Sequence, residues 1–421
     1  MKNTYTNKPL WTSINKVPYT YPWLSHDENT QICILGGGLT GALCCFKSMS
    51  FGIDTVLISA DPIASSLTAQ SYGIMQLHVN KGLYILSKKI GISNAIKIYN
   101  LIKNSIDEIE DLCSSLPSSC GFKRGNSLLF TQDKSKNEFI QKEYMLLKHN
   151  GFDVNFITKE DALERFPFNI ESGILYNNLA ATVDPYMLTH EIIKKCEESG
   201  ASIYENSRVD VVGSNHAIPY LKTNLGKKIN ANNIIFTTGK SMNKLLKDIG
   251  IKRTSFAVAT KPVENTSRWT DNICLLNCID TPKMNFALTK DDRILSYGLD
   301  AGMTKPFRKL TGLFSDSSCI NRFENKKFDS LSEGLSYYFP RLCNTSPEYA
   351  FATDYIQTEQ GLPIIGELEN LKNCLYCLCP GNNGIVFSDI VSDMLLKFYK
   401  SDAPFLNNFI DVLENTLVDN H

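Results

Sequence analysis

At 421 residues the chain exceeds the size at which one hydrophobic core usually stops growing, so two domains, interleaved in sequence, are expected. Its 43 basic and 44 acidic residues leave a net charge of −1 with no long like-charge run, which argues against nucleic acid as a partner. No apolar run approaches the roughly 18 residues of a membrane span, residues 1–30 hold no signal-like apolar core, and 13 scattered cysteines suit a reducing compartment, so a cytoplasmic protein without a transmembrane segment is expected.

Residues 1–30 read as an irregular lead-in with Trp11, Tyr19, Tyr21 and Trp23 as anchors onto the body. The apolar strand Gln31–Leu35 then runs into Gly36-x-Gly38-x-x-Gly41, followed by a helix over 42–50, a stop at Gly52 and a second apolar strand at 55–58. This is the opening of a dinucleotide-binding βαβ unit: glycine permits the tight turn at Gly36, close phosphate approach at Gly38 and helix-on-strand packing at Gly41. The loop at 61–73 is rich in hydroxyls and suits wrapping a cofactor. A 3.6-residue apolar period predicts a long core-packing helix over 93–116. Strands at 127–131, 153–157 and 173–176, and a helix over 135–150, follow.

Asp184 as N-cap and Pro185 at the first helical position predict a helix to Glu198, stopped at Gly200. Strands near 203 and 209–212, a hairpin at 224–228 and a β-branched strand at 233–238 ending in Gly239 read as a return to the nucleotide-binding sheet, with a helix over 241–249 next. Short strands at 256–260, 273–276, 286–288 and 294–297 suit a separate antiparallel sheet. Helices over 307–314 and 319–339 come after it. The last stretch is a strand at 375–378, the turn Pro380-Gly381-Asn382-Asn383-Gly384 and a helix over 385–399. Cys374-x-x-Cys377 could hold a metal, but on a strand the two thiols point to opposite faces and no second pair lies nearby, so no metal is expected. His149, His190 and His216 fall on predicted surface helices or turns and are expected to be solvated.

Three separated nucleotide-type elements with other material between them suit an interleaved flavoprotein better than a simple NAD dehydrogenase. The ordered set Gly36-x-Gly38-x-x-Gly41, Ser65-Ser66-Leu67-Thr68, Ala181–Pro185, Thr237-Thr238-Gly239, Gly361-Leu362-Pro363-Ile364-Ile365-Gly366 and Gly381-Asn382-Asn383-Gly384-Ile385 resembles the D-amino-acid oxidase and glycine oxidase superfamily over nearly the whole chain. Thr68-Ala69 with Gln76-Leu77-His78, and Asp354-Tyr355-Ile356, resemble a branch that in some members is fused to a Rieske domain, for which no ligand pair is present here.

The resemblance implies an α/β fold: a Rossmann-like, GR2-type FAD-binding domain at 31–80, 182–250 and 350–400, interleaved with an α+β substrate domain at 81–181 and 251–349 containing a mainly antiparallel sheet. Residues 1–30 and 401–421 would be a lead-in and a tail. It implies non-covalent FAD held by Gly36, Gly38, Leu39, Thr40 and Gly41 at the pyrophosphate, by Ser66, Thr68, Gly239 and Gly366 around it, and by Val209 at the adenine. Gly381, Asn382, Asn383, Gly384 and Ile385 would aim a helix N-terminus at the flavin, where positive potential favours the reduced, anionic form.

Departures from the family pattern also carry expectations. Ser59 stands at the usual acidic ribose position, with Asp61 as a substitute if the loop bends back, so FAD is expected to be tight but dissociable. Tyr355 stands where glycine-oxidase-like members place the arginine that forks a substrate carboxylate, and a tyrosine cannot supply that fork. An ordinary α-amino acid then needs Arg253, Arg293 or Arg308 to come in from the substrate domain. The strand 284–288 lacks the lysine that sarcosine-oxidase-like members use for oxygen, and 349–354 lacks an attachment cysteine, so poor oxygen reactivity is expected. His78 and Tyr355 are the candidate catalytic side chains, His78 as base or hydrogen-bond donor. The resulting expectation is oxidation of a C–N bond in an amine or amino-acid-like small molecule, with oxygen or another acceptor reoxidising the flavin. A flavin-binding electron-transfer or assembly protein without amine turnover is the alternative.

Overall fold

The computed structural model describes residues 8–79, 81–216, 218–239, 250–264, 272–302, 317–340, 346–379, 381, 383–401 and 409–411. In chain order its elements begin with α1 (Leu10–Ile14), β1 (Glu28–Leu35), α2 (Leu39–Ser50), β2 (Thr55–Ile58), β3 (Ile74–Gln76), α3 (Leu83–Ile90), α4 (Ile92–Ser115), β4 (Lys123–Thr131), α5 (Asn137–His149) and β5 (Val154–Thr158). They continue with α6 (Lys159–Arg165), β6 (Ser172–Thr182), α7 (Pro185–Glu198), β7 (Ser202–Tyr204), β8 (Val209–Asn215), β9 (Ile218–Thr223) and β10 (Lys228–Phe236). The remainder are β11 (Ile251–Thr260), β12 (Ile273–Cys278), β13 (Met284–Leu288), β14 (Ile294–Gly302), α8 (Ser317–Tyr338), β15 (Pro347–Gln357), β16 (Ile364–Glu367), β17 (Cys374–Leu378) and α9 (Gly384–Ser401).

Two sheets organise these elements. In the first, β1 lies between β10 and β2, and β17, β10, β1, β2 and β7 run parallel. β16 closes one edge antiparallel to β17, and the β8–β9 hairpin pairs with β10. All four residues of β2 are buried, the mark of a strand covered on both faces. The helices α2, α7 and α9 pack on this sheet's side of the main core through Leu43, Ile192 and Val391. Cys374 faces one core and Cys377 another, so the two thiols stand on opposite faces of β17.

The second sheet has the order β15-β11-β14-β13-β12-β4-β6-β3, with β5 on β6. Every pairing in it is antiparallel except β12 with β4. The helix α8 covers it, packing Phe328, Leu331 and Leu335 with Phe256 and Phe286. Two stretches from the segments expected in the FAD-binding domain, 74–76 and 350–357, are hydrogen-bonded in this sheet, within β3 on β6 and β15 on β11.

Asp184 caps α7 as expected, accepting from the N–H groups of Tyr186 at 2.9 Å and Met187 at 3.0 Å. Two expectations are corrected. Trp23 is 62 % exposed and anchors nothing, whereas Trp11 is buried and donates from Nε1 to Ser71 O at 2.7 Å. His190 is 1 % exposed rather than solvated, because it follows Tyr186 by one helical turn on the inward face of α7. The expected helices at 241–249 and 307–314 lie outside the described residues.

Candidate active site

The C-terminal end of β1 carries the glycine turn. Gly36 has φ +134°, and a Cβ there would lie 2.6 Å from Thr237 Oγ1. A Cβ on Gly41 would lie 1.9 Å from the Gly36 carbonyl oxygen, so only glycine lets α2 pack this closely against its strand. Gly38 has no side chain to close the start of α2. Leu39 N donates to Thr68 Oγ1 at 3.1 Å, which seats the hydroxyl-bearing loop over the helix end, while Ser66 in the same loop is exposed. Thr40 Oγ1 and Ser388 Oγ are 2.7 Å apart and tie α2 to α9. Gly239, at φ +54°, leaves room for Leu67 of that loop.

The neighbouring strands end at the same level. Ser59 N donates to Tyr204 O and Ser207 N to Ser59 O, both at 2.8 Å, which brings the ribose position Ser59 beside the start of β8 at Val209. The Ser59 hydroxyl is committed to Asp61 O at 2.7 Å. A carboxylate that sequence reading missed, Glu205, is buried here and accepts from Ile63 N at 3.1 Å. Gly366 lies apart from this cluster: it sits opposite Tyr376 across β16–β17, and a Cβ would meet that ring. Its small size serves sheet packing.

A cavity of about 520 Å³ opens where the second sheet meets the start of α9. Gly381, Asn383 and Phe387 line it from the helix side, and Gln76, His78, Asn277, Lys283, Asp300, Tyr355 and Gln357 from strands and their ends. Asn383 Nδ2 donates to Gln76 O at 2.9 Å and His78 O at 3.3 Å, while Asn277 Nδ2 donates to Gln76 Oε1 at 2.8 Å. These bonds pin the β3 exit, and with it His78, to the start of α9. Both candidate catalytic residues therefore reach one cavity. Asn382 lies outside the described residues; Gly384 and Ile385 open α9 beside Asn383.

Tyr355 Oη donates to Asp300 Oδ2 at 2.8 Å, and burial, then the Asp300 charge, pushes the phenol pKa up. Lys283 stands one residue before the strand 284–288, outside the span where the family resemblance places a lysine. Its side chain lines the cavity and is exposed, and desolvation lowers the ammonium pKa against the opposing pull of Asp300. Neither of the described arginines expected to enter lines the cavity, although Arg253 borders it opposite Tyr355. Arg253 Nε donates to Gln357 Oε1 at 2.9 Å, and Arg293 is held by Asp291, Glu348 and the Thr260 carbonyl. Arg308 lies outside the described residues.

The residues present fit FAD on two observations. The Gly36–Gly41 turn leaves a helix start bare of side-chain atoms, and Asn383 Oδ1 is buried without a hydrogen-bond partner among the described residues, at the helix end expected to face the flavin. A parallel sheet with such a turn, bordering a cavity shared with a second sheet, is the architecture of a dinucleotide-binding protein. A family model for FAD dependent oxidoreductases (DAO) matches residues 31–397, and the chain belongs to that family. It is 22% identical over 368 residues to a probable oxidoreductase, OrdL, of Haemophilus influenzae, covering 83% of this chain and 78% of that one. It is 19% identical over 425 residues to gamma-glutamylputrescine oxidoreductase of Escherichia coli, covering 97% and 92%. Among solved structures, L-proline dehydrogenase from P. horikoshii superposes with a TM-score of 0.69 at 18% identity, covering 90% of this chain and 96% of that one. The chain is thus an FAD-dependent oxidoreductase, and none of its described helices is long and apolar enough to cross a membrane.

Proposed function

We propose that this enzyme oxidises a C–N bond of a small amine or amino acid, for which FAD, when bound, would supply the acceptor of hydride from the carbon next to nitrogen. The observation that carries the proposal is the convergence of His78, Tyr355, Asp300 and Lys283 on one cavity at the start of α9. Gly36, Gly38, Leu39, Thr40 and Gly41 would hold the pyrophosphate, with Thr68 and Ser66 alongside. Ser59 and Val209 would lie toward the ribose and adenine, and Gly381 and Asn383–Ile385 toward the flavin, without a covalent link. The helix end stabilises negative charge on the reduced cofactor. Tyr355 and Asp300 orient the substrate, His78 takes a proton from the substrate nitrogen, and Ile85, Phe139 and Ile279 exclude water from the apolar side of the cavity. Relatives named for proline and for a glutamylated diamine support a substrate with nitrogen beside the oxidised carbon. Lys283 lines the cavity one residue ahead of the strand 284–288, and on that ground oxygen is the proposed acceptor.

The test is an absorbance spectrum of the purified protein followed by anaerobic addition of amines, N-methyl amino acids, and D- and L-amino acids. Bleaching of the flavin bands by one class, reversed on admitting air, is the expected result. Flavin that no compound bleaches would replace this reading with electron transfer without amine turnover.

A further inference from the structure

We infer that Gln76 and Asn277 form a pair that hydrogen-bonds a substrate amide, which makes the substrate an amine that also carries an amide group; this rests on the C–N oxidation proposed above. Both side chains line the cavity and both are buried, at 5 % and 4 % exposed. Asn277 Nδ2 donates to Gln76 Oε1 at 2.8 Å, so each carboxamide uses half of its capacity on the other. The other halves, the Gln76 Nε2 donor and the Asn277 Oδ1 acceptor, have no hydrogen-bond partner among the described residues and are left to the cavity. A donor beside an acceptor is the complement of an amide, whose carbonyl oxygen accepts from Gln76 while its N–H donates to Asn277. Turning both carboxamides over exchanges their roles and leaves the same pair. A carboxylate has two acceptors and no donor, so it sets an oxygen against Asn277 Oδ1, and a ketone leaves that atom unpaired. Both are disfavoured, because a buried polar group without a partner costs free energy.

The backbone holds the pair in place. Asn277 lies inside the second sheet, paired with Leu129 of β4 on one side and Asn285 of β13 on the other. Gln76 ends β3, and Asn383 Nδ2 donates to its carbonyl at 2.9 Å. With both main chains fixed and the side chains bonded to each other, little ordering is left to be done when a ligand arrives. Asn285 is a third carboxamide on the same face of the sheet, and its Oδ1 is buried without a hydrogen-bond partner among the described residues. This part of the sheet is therefore polar without charge. His78 follows Gln76 by two residues, with buried Leu77 between them, so both side chains reach the cavity from one side of the extended chain. The amide is thereby held beside the group proposed above to take the substrate proton, and Ile85, Phe139 and Ile279 give the alkyl part an apolar wall.

The test uses the full FAD-loaded chain, anaerobically, with propionamide and N-methylpropionamide as probes and propionate and butanone as counterparts that lack the N–H. Affinity is read from the flavin absorbance shift and from calorimetry. The better amide is expected to bind about tenfold or more tightly than propionate and butanone. Propionamide in front points to an amino-acid amide, and N-methylpropionamide in front to an N-acylated amine. Gln76→Glu keeps the acceptor for Asn277 and replaces the free donor with an oxygen, so it should abolish the preference with FAD content unchanged. Asn277→Leu should abolish it from the acceptor side. Amides no tighter than propionate and butanone in the parent protein, or a preference that survives in either variant, would overturn the inference. If both variants fold by circular dichroism yet lose FAD, the pair belongs to the cofactor and the inference falls. If the amide preference holds but no amine bleaches the flavin, the proposed reaction fails and the amide site stands; bleaching by amines without any amide preference means the reverse.

Discussion

The two ends of this site are made from different material. The FAD end is main chain: a glycine turn and the start of α2 that follow β1 within a few residues of sequence, with the ends of neighbouring strands beside them. The cavity is side chain, assembled from β3, β12, β14, β15 and α9, which lie far apart along the chain. Cofactor binding should therefore be broken by adding atoms, and substrate turnover by removing them.

The largest effect should come from Gly41→Val. Its Cβ would sit 1.9 Å from the Gly36 carbonyl, so α2 must move off its strand. Overpacking of this kind costs about 1–3 kcal/mol or more, and the displaced helix start should abolish FAD retention. The ratio of flavin to protein absorbance checks this; a variant that purifies with full FAD would break the comparison at its first term. Tyr355→Phe acts at the other end. It removes a hydrogen bond to a carboxylate, worth about 1.5–3 kcal/mol, so the rate of anaerobic bleaching should fall about ten- to a hundredfold while FAD content is unchanged. Loss of FAD together with rate would show that the two ends are not separable in this way.

The same division explains what sequence could reveal. Gly36-x-Gly38-x-x-Gly41 is legible because each glycine answers a local steric demand, and Asp184-Pro185 because capping needs only neighbours. β10 was readable as a return to the first sheet from its β-branched run. The cavity is legible only in part, His78 and Tyr355 from motif and spacing and Gly381 and Asn383 from the turn before α9. Lys283 enters one residue ahead of the strand that was searched, and Asp300 arrives through a bulge whose unusual φ sits on a leucine, a residue type that does not announce it. His190 was misread although a signal existed: Tyr186, His190 and Ile193 share the i, i+4, i+7 face of α7, the inward one.

That histidine gives the next effect in size. Burial lowers its pKa from 6.5 to about 4, with neither ring nitrogen hydrogen-bonded among the described residues. Because the unfolded chain takes up the proton first, its contribution to stability is whole above about pH 6.5 and is lost as pH falls toward 4, at most about 3 kcal/mol. Asp184 and Asp389, pushed up to about 6, and Glu143, up to about 7, work in the opposite sense: their contribution is whole at low pH and lost as pH rises through those values. Thermal midpoints of the parent and His190→Phe between pH 4.5 and 7.5 separate the two. The variant should gain on the parent steadily below pH 6.5, and a constant offset would mean that His190 is not buried neutral.

The smallest effect lies at the seam between the two ends. Ser388→Ala removes the 2.7 Å contact with Thr40 and the Ser388 Oγ donation to Gly384 O, while the Lys47 ion pairs with Asp389 and Asp393 still join α2 to α9. The expected loss is about 0.5–1.5 kcal/mol of stability, read from denaturant unfolding. Thr40 is assigned to the pyrophosphate and α9 to the flavin, so the bond links main-chain geometry at one end to the helix that borders the cavity at the other. If it serves only as packing, Ser388→Ala should shift unfolding and leave both FAD affinity and the rate of anaerobic bleaching unchanged. A change in that rate without loss of FAD would mean that the position of α9, and through Asn383 the position of His78, is set from the cofactor end, which would turn two separately built regions into one coupled device.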